Sequence, residues 1–142
     1  MVNQWLIALV PLASAAVGAV LTYAFTSRVR RDEAITRFKE EKYAGLLVKM
    51  QGFVGATASA DLKRQFLVEQ YQSWLYASDE VVLAINSMIE HVKAVYHHQP
   101  GINPELGFGL VGNVVLSMRR DLLGKTGLTR DAFQYTDVDV DG

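Results

Sequence analysis

The amino-acid sequence predicts an all-α protein in which one N-terminal transmembrane helix continues into a small cytoplasmic helical bundle. Three observations lead to this fold class. No charged side chain precedes Arg28, apolar residues recur at helical spacing through the rest of the chain, and three segments begin with residues that favour helix starts, at Ser59, Ser78 and Asn103. The chain has 142 residues, so one span leaves enough chain for one small domain with a single core.

The predicted membrane span covers residues 5–27 and reads WLIALVPLASAAVGAVLTYAFTS. A helix rises about 1.5 Å per residue, so this stretch reaches roughly 35 Å and crosses a hydrocarbon core of about 30 Å. A cleaved signal peptide, a buried core helix and an interfacial helix are the alternatives. A cleaved signal peptide normally has a basic start, and an interfacial helix needs a polar face. A buried core helix that is apolar all round is unusual in so small a protein. A retained anchor is the favoured interpretation.

The charges that flank this stretch predict its orientation. Lys and Arg residues near the end of a span stay in the cytoplasm. Here they all follow the span: Arg28, Arg30, Arg31, Arg37, Lys39 and Lys42. We therefore expect a single span in the bacterial inner membrane, with the N-terminus outside and the C-terminal body in the cytoplasm.

Small residues form two overlapping pairs within the span, Ser14/Gly18 and Ala15/Ala19. Such spacing lets two helices approach closely in lipid, which makes this stripe a candidate surface for self-association. Small residues are also common in spans that associate with nothing. The sequence leaves both interpretations open.

The next stretch, residues 28–57, lacks proline and is predicted to be a juxtamembrane amphipathic helix ending near Gly55. A helical bundle is expected over residues 58–135. Its second helix follows Ser59, with Asp61 in the first turn. One apolar face is predicted for this helix, made of Leu62, Phe66, Leu67, Tyr71, Trp74 and Leu75.

Ser78 is predicted to cap a third helix that runs to about His97, with a wide apolar stripe expected to be buried. That stripe comprises Val81, Val82, Ile85, Met88, Ile89, Val92, Val95 and Tyr96. Asn103 and Pro104 predict the start of a fourth helix, which Gly124 should end after Leu122 or Leu123. Glycines 107, 109 and 112 within it are expected to permit close packing.

The C-terminal part of the chain is expected to be less regular. Thr129 and Asp131 can begin one further helical turn containing Phe133 and Tyr135. Residues 136–142 carry three acids and are predicted to be a flexible acidic tail.

Several stretches carry a resemblance to a known group of proteins. These are Trp-Leu-Tyr-Ala-Ser-Asp-Glu-Val-Val at 74–82, Leu-Ser-Met-Arg-Arg-Asp-Leu at 116–122 and Thr-Arg-Asp-Ala-Phe at 129–133. They resemble a widespread group of small uncharacterised bacterial proteins that have one N-terminal span and a short helical domain. Members of that group commonly have Arg-Lys-Asp-Leu-Gly where this chain inserts Leu123 before Gly124. The resemblance implies the architecture but supplies no catalytic residue.

Candidate chemistry in the sequence is sparse. The chain has no cysteine, which excludes disulfides and Cys-ligated metals, and its net charge of −1 gives no argument for binding nucleic acid. His91, His97 and His98 are poorly spaced for zinc. Residues 107–112 spell GxGxxG but lack the preceding strand of a dinucleotide site. We expect no cofactor, no metal and no catalytic activity.

The favoured function is a membrane-anchored helical accessory or assembly subunit that docks a partner protein. The alternative is a membrane-tethered sensor or defence effector that oligomerises through its span. Expected partners are the lipid bilayer and either another protein or further copies of the chain. Arg119, Arg120 and Asp121 invite an ion-pair or anion role, with Asp79 and Glu80 as possible partners. The candidate interaction residues are Ser14, Ala15, Gly18, Ala19, Trp74, Tyr76, Arg119 and Arg120.

Overall fold

The computed structural model describes residues 4–53, 59–103 and 105–134, and the side chains of residues 4–12 lie outside that description. Four α-helices make up most of the described chain: α1 (Gln4–Met50), α2 (Ala60–Ser73), α3 (Asp79–Tyr96) and α4 (Leu106–Leu123). Short 3-10 turns occupy Gln51–Phe53 and Arg130–Ala132. The predicted all-α class is confirmed.

The chain divides into two compact units, Met1–Phe38 and Lys39–Gly142, and the boundary falls inside α1. The first unit holds the predicted span, whose side chains 5–12 are not described. Within the described residues, no helix is both long enough and apolar enough to cross a bilayer. The span and its orientation therefore stay predictions.

The second unit, here called the head, begins with the last turns of α1. Tyr43, Leu46 and Met50 are buried there at intervals of three and four residues, so one face of the helix belongs to the core. The predicted juxtamembrane helix of residues 28–57 is thus split between the two units. It is also shorter than expected, because the α-helix ends at Met50 and not near Gly55.

Helices α3 and α4 are antiparallel neighbours that supply most of the remaining core. The ion pair between Glu80 and Arg120 joins the start of α3 to the end of α4. The buried core residues of the head are Tyr43, Leu46, Met50, Phe66, Val81, Ile85, Met88, Val111, Val114 and Met118. The predicted apolar stripe of α3 is correct as far as Met88, but its last residue, Tyr96, is 78% exposed.

The starts of the helices follow the sequence only in part. Ser59 caps α2 by accepting from the N–H of Leu62, as predicted. Ser78 precedes α3 as predicted, but its side chain makes no capping hydrogen bond. Helix α4 begins later than its predicted start at Asn103 and Pro104. The amide oxygen of Asn103 instead accepts from the N–H of Glu105 at 2.9 Å and closes a turn before the helix.

Two glycines shape the C-terminal part of the head. Gly124 ends α4 with φ of 75°, a left-handed conformation that glycine adopts without strain. At Gly112 an added Cβ would lie 3.3 Å from the carbonyl oxygen of Arg130 and from Cβ of Phe133. The predicted close packing is therefore present at this glycine, against the C-terminal turn. Tyr135 and the predicted tail, residues 136–142, lie outside the described residues.

Candidate interaction surface

Helix α2 buries polar side chains against the rest of the head. Its buried residues are Phe66, Gln70 and Ser73, exposed by 0%, 8% and 1%. The Gln70 amide donates to Oδ1 of Asn86 on α3 at 3.3 Å, and the Ser73 hydroxyl donates to the carbonyl oxygen of Gln70 at 2.6 Å. These bonds satisfy the polar groups that the packing removes from water.

Five apolar residues of α2 and of the turn that follows it are exposed. We use "the α2 face" for these residues, whose exposures run from 40% to 88%: Leu67, Val68, Tyr71, Trp74 and Leu75. The sequence predicted one apolar face made of Leu62, Phe66, Leu67, Tyr71, Trp74 and Leu75, and the structure divides that set between the core and the outside. Phe66 alone of them is fully buried, where its ring meets that of Phe53 edge-on at 5.2 Å.

The buried side and the exposed apolar side of α2 differ by one residue in the sequence. Residues 66, 70 and 73 lie on one side of α2, and residues 67, 71 and 74 lie about 100° further round. Both sets have helical spacing, so periodicity cannot select between them. The ion pair between Lys49 and Glu69 and the contact of Phe66 with Phe53 hold α2 with its Phe66 side inward. As a result, the α2 face points away from the core.

A second feature, here called the Asp121 cluster, lies among α1, α4 and the start of α3. The Lys39 ammonium donates to both carboxylate oxygens of Asp121, at 3.0 and 2.8 Å, and the Tyr43 hydroxyl donates to the same group at 2.5 Å. The backbone of Ser78, just before α3, helps to lower the pKa of this carboxyl group. The Asp121 side chain is only 11% exposed, so this cluster surrounds a negative charge that is nearly buried.

The surroundings shift two pKa values in opposite directions. Burial raises the pKa of Asp121, but the hydrogen bonds from Lys39 and Tyr43 and the Lys39 charge outweigh it and hold that pKa below its usual value. Burial, the hydrogen bond to Asp121 and the charge of Asp121 raise the pKa of Tyr43 far above its usual value. The carboxylate is thus ionised and the phenol neutral over the physiological range. Such a pair stabilises the fold and has no free proton acceptor.

The two predicted arginines make contacts within the head. Arg120 pairs with Glu80, one of the two acids that the sequence suggested. The guanidinium of Arg119 donates from Nε to Oγ1 of Thr126 at 3.1 Å. An open groove of about 330 Å³ between α3 and α4 includes this Glu80–Arg120 pair in its lining. Arg130 also lines the groove and pairs with Asp131, so both arginines of the lining already have a carboxylate partner.

The remaining candidate residues are distributed between the two units. Trp74 belongs to the α2 face, whereas Tyr76 is half-buried and packs against the core, with its ring 5.9 Å from that of Tyr43. Burial raises the pKa of Tyr76, and the charge of Glu69 adds to that rise. The small-residue stripe is exposed on α1 at Ser14, Ala15, Gly18 and Ala19. A Cβ at Gly18 would meet no atom within 4 Å.

The three histidines lie apart from any metal-binding arrangement in the described residues. No group of three or more His, Cys, Asp or Glu side chains converges there in a way that could hold a metal ion. His97 forms the C-cap of α3, as expected from its place at the helix end, and His98 follows with φ of 51°. The ring of His91 lies beside Gly107, with Nε2 3.6 Å from where a Cβ would be.

Sequence reasoning missed the donors of the Asp121 cluster and the polar side of α2. Lys39 and Tyr43 are four residues apart and so share a face of α1, which is a detectable signal for a common acceptor. The sequence singled out Asp121, together with Arg119 and Arg120, as part of an ion-pair or anion site, and Asp121 is the acceptor for both donors. Gln70 and Ser73 offered no comparable signal, since polar residues between apolar ones normally face water.

A comparison of the chain with known protein families, with curated proteins and with solved structures finds no match. The resemblance to small single-span bacterial proteins consequently stays a prediction.

Proposed function

We propose that this protein is a membrane-tethered helical assembly subunit that works by docking protein on its head and catalyses no reaction. The observation that carries the proposal is the α2 face. Soluble proteins rarely leave a contiguous apolar patch of this kind uncovered unless it binds something. Trp and Tyr are also the residues most enriched at binding hot spots, and Trp74 and Tyr71 are exposed by 61% and 75%.

The charged groups of the head support a structural function and not a catalytic one. The nearly buried carboxylate of Asp121 accepts three hydrogen bonds from Lys39 and Tyr43, and the Arg120 guanidinium pairs with Glu80. Catalytic acids and bases need an accessible site and a pKa near the working pH. Asp121 has neither property, because its pKa is lowered and its oxygens are occupied.

The tether in this proposal is the uncharged stretch of residues 5–27, placed in the bacterial inner membrane with the head in the cytoplasm. Its support is the sequence: no charge precedes Arg28, and the basic residues cluster after it. Fractionation of cells expressing the full chain tests this part. Recovery in the membrane fraction after a carbonate wash is expected, and recovery in the supernatant would contradict it.

Affinity purification of the full chain in mild detergent tests the docking function. We expect the wild-type chain to be recovered in a stoichiometric protein complex, and Tyr71→Glu to lose that complex because a charge in the centre of an apolar interface is left unpaired. Leu83→Glu is the matched control, since Leu83 is 65% exposed on α3, away from the α2 face. Equal recovery with all three chains would refute the proposal.

A further inference from the structure

The α2 face is long and apolar, and its ends have different charges. Leu67, Tyr71 and Trp74 follow the i, i+4, i+7 spacing with which one helix packs against another. Exposed Arg64 lies one turn before this face, and exposed Asp79 lies just beyond its other end, at the start of α3. Neither of the two is in an ion pair within the described part of the chain.

From this arrangement we propose that the α2 face binds the same face of a second copy of this chain, with the two α2 helices antiparallel and Tyr71 at the two-fold axis. This inference rests on the proposed docking function and names its partner. A two-fold interface must be self-complementary, because each surface meets its own copy. The α2 face meets that condition.

The residue spacing around Tyr71 is symmetric. An antiparallel pairing centred there sets Leu67 against Leu75 of the second copy, and Val68 against Trp74 of the second copy. Apolar side chains therefore meet apolar side chains along the whole face. The same pairing brings Arg64 towards the end of the other helix where Asp79 lies, so that opposite charges flank the apolar centre. A parallel pairing would instead place Arg64 beside its own copy.

The size of the surface also fits a dimer. The exposed parts of the five side chains amount to on the order of 700 Å² of accessible area, close to the ~800 Å² that each partner contributes to a standard interface. A lipid surface fits less well. Helices that lie on membranes carry Lys and Arg along their polar side, whereas the exposed charges beside this face have both signs, with Asp61 and Asp79 as well as Arg64.

Disulfide formation in native membranes tests this arrangement, because the chain has no cysteine of its own. We expect Tyr71→Cys in the full chain to form a covalent dimer on mild oxidation, since the two copies of this position meet at the axis. Leu83→Cys should stay monomeric. When differently tagged chains are co-expressed, Leu67→Cys should link to Leu75→Cys and not to Leu67→Cys. Linkage between two copies of Leu67→Cys would overturn the antiparallel pairing.

Charge reversal adds a test that distinguishes specific pairing from nonspecific association. In the Tyr71→Cys background, Arg64→Glu alone and Asp79→Arg alone should each lower the covalent dimer fraction several-fold, and the double reversal should restore it. Thermal unfolding of each purified full chain checks that the fold is retained. Failure of the double variant to recover would overturn the inference.

The same variant separates this inference from the proposed function. If Tyr71→Cys forms no dimer but a maleimide photo-cross-linker attached there captures a different protein, the second-copy inference is wrong and the docking function stands. If the cross-linker captures only lipid, or nothing, both are wrong.

Discussion

Helices α2 and α3 both carry an apolar stripe at helical spacing, but the stripe of α3 faces the core and most of the stripe of α2 faces outward. In α3 the residues Val81, Ile85 and Met88 are buried, whereas in α2 most of the stripe is exposed. The difference teaches that amphipathic periodicity identifies a stripe but not the direction in which it faces. That direction depends on neighbours, here the contacts of Phe66 with Phe53 and of Lys49 with Glu69.

The largest expected effect tests the two stripes directly. Ile85→Ala removes a fully buried side chain and should lower the free energy of unfolding by about 2–5 kcal/mol. Leu75→Ala removes a side chain that is 88% exposed and should change it by no more than about 0.5 kcal/mol. Urea unfolding of the full chain in detergent, followed by circular dichroism, measures both. A loss at Leu75 as large as that at Ile85 would show that the α2 face is packed within the chain.

The next effect concerns the Asp121 cluster, where the interaction of charges adds to packing. Asp121→Asn leaves Lys39 nearly buried without its counter-ion and should destabilise the head by about 2–3 kcal/mol. Glu90→Gln, in the exposed Lys93–Glu90 pair, is the control and should have little effect. Equal stability of the two variants would contradict the structural importance of the Asp121 cluster.

The same variant predicts a pH dependence. The pKa of Asp121 is lowered in the folded chain, so its contribution is complete above the unfolded value of about 3.9 and is lost as pH falls through the folded pKa. Between the two values the unfolded chain binds a proton that the folded chain does not. Unfolding curves from pH 6 downwards should therefore fall more steeply, by about one proton, for the wild type than for Asp121→Asn. Parallel curves would contradict this.

The smallest expected effect lies on the polar side of α2. Gln70→Leu exchanges one neutral hydrogen bond to Asn86 for apolar contact, so the free energy of unfolding should change by less than about 1 kcal/mol in either direction. Gln72→Leu, at an exposed position of the same helix, is the control for helix propensity. A loss comparable to that of Ile85→Ala would mean that the polar contact determines which side of α2 is buried.

The sequence predicted those features of the fold that depend on local interactions. The cap at Ser59, the start of α3 after Ser78, the end of α4 at Gly124 and the buried stripe of α3 up to Met88 all follow from neighbouring residues. It missed features that depend on distant partners. Gln70 is buried because Asn86 on another helix receives its amide, and Tyr43 acquires its acceptor from α4. The Arg120–Glu80 pair could be predicted because the sequence places both residues at helix ends.

The missing side-chain cap at Ser78 has a consequence for the order of folding. Since the Ser78 side chain makes no capping bond, the start of α3 is held at the far end of α4, where Glu80 pairs with Arg120. This contact forms only after the α3–α4 hairpin has closed. Amide hydrogen exchange at Val82, whose N–H donates to the carbonyl oxygen of Ser78, should therefore proceed at the rate of cooperative opening of the hairpin and not by fraying of the helix end.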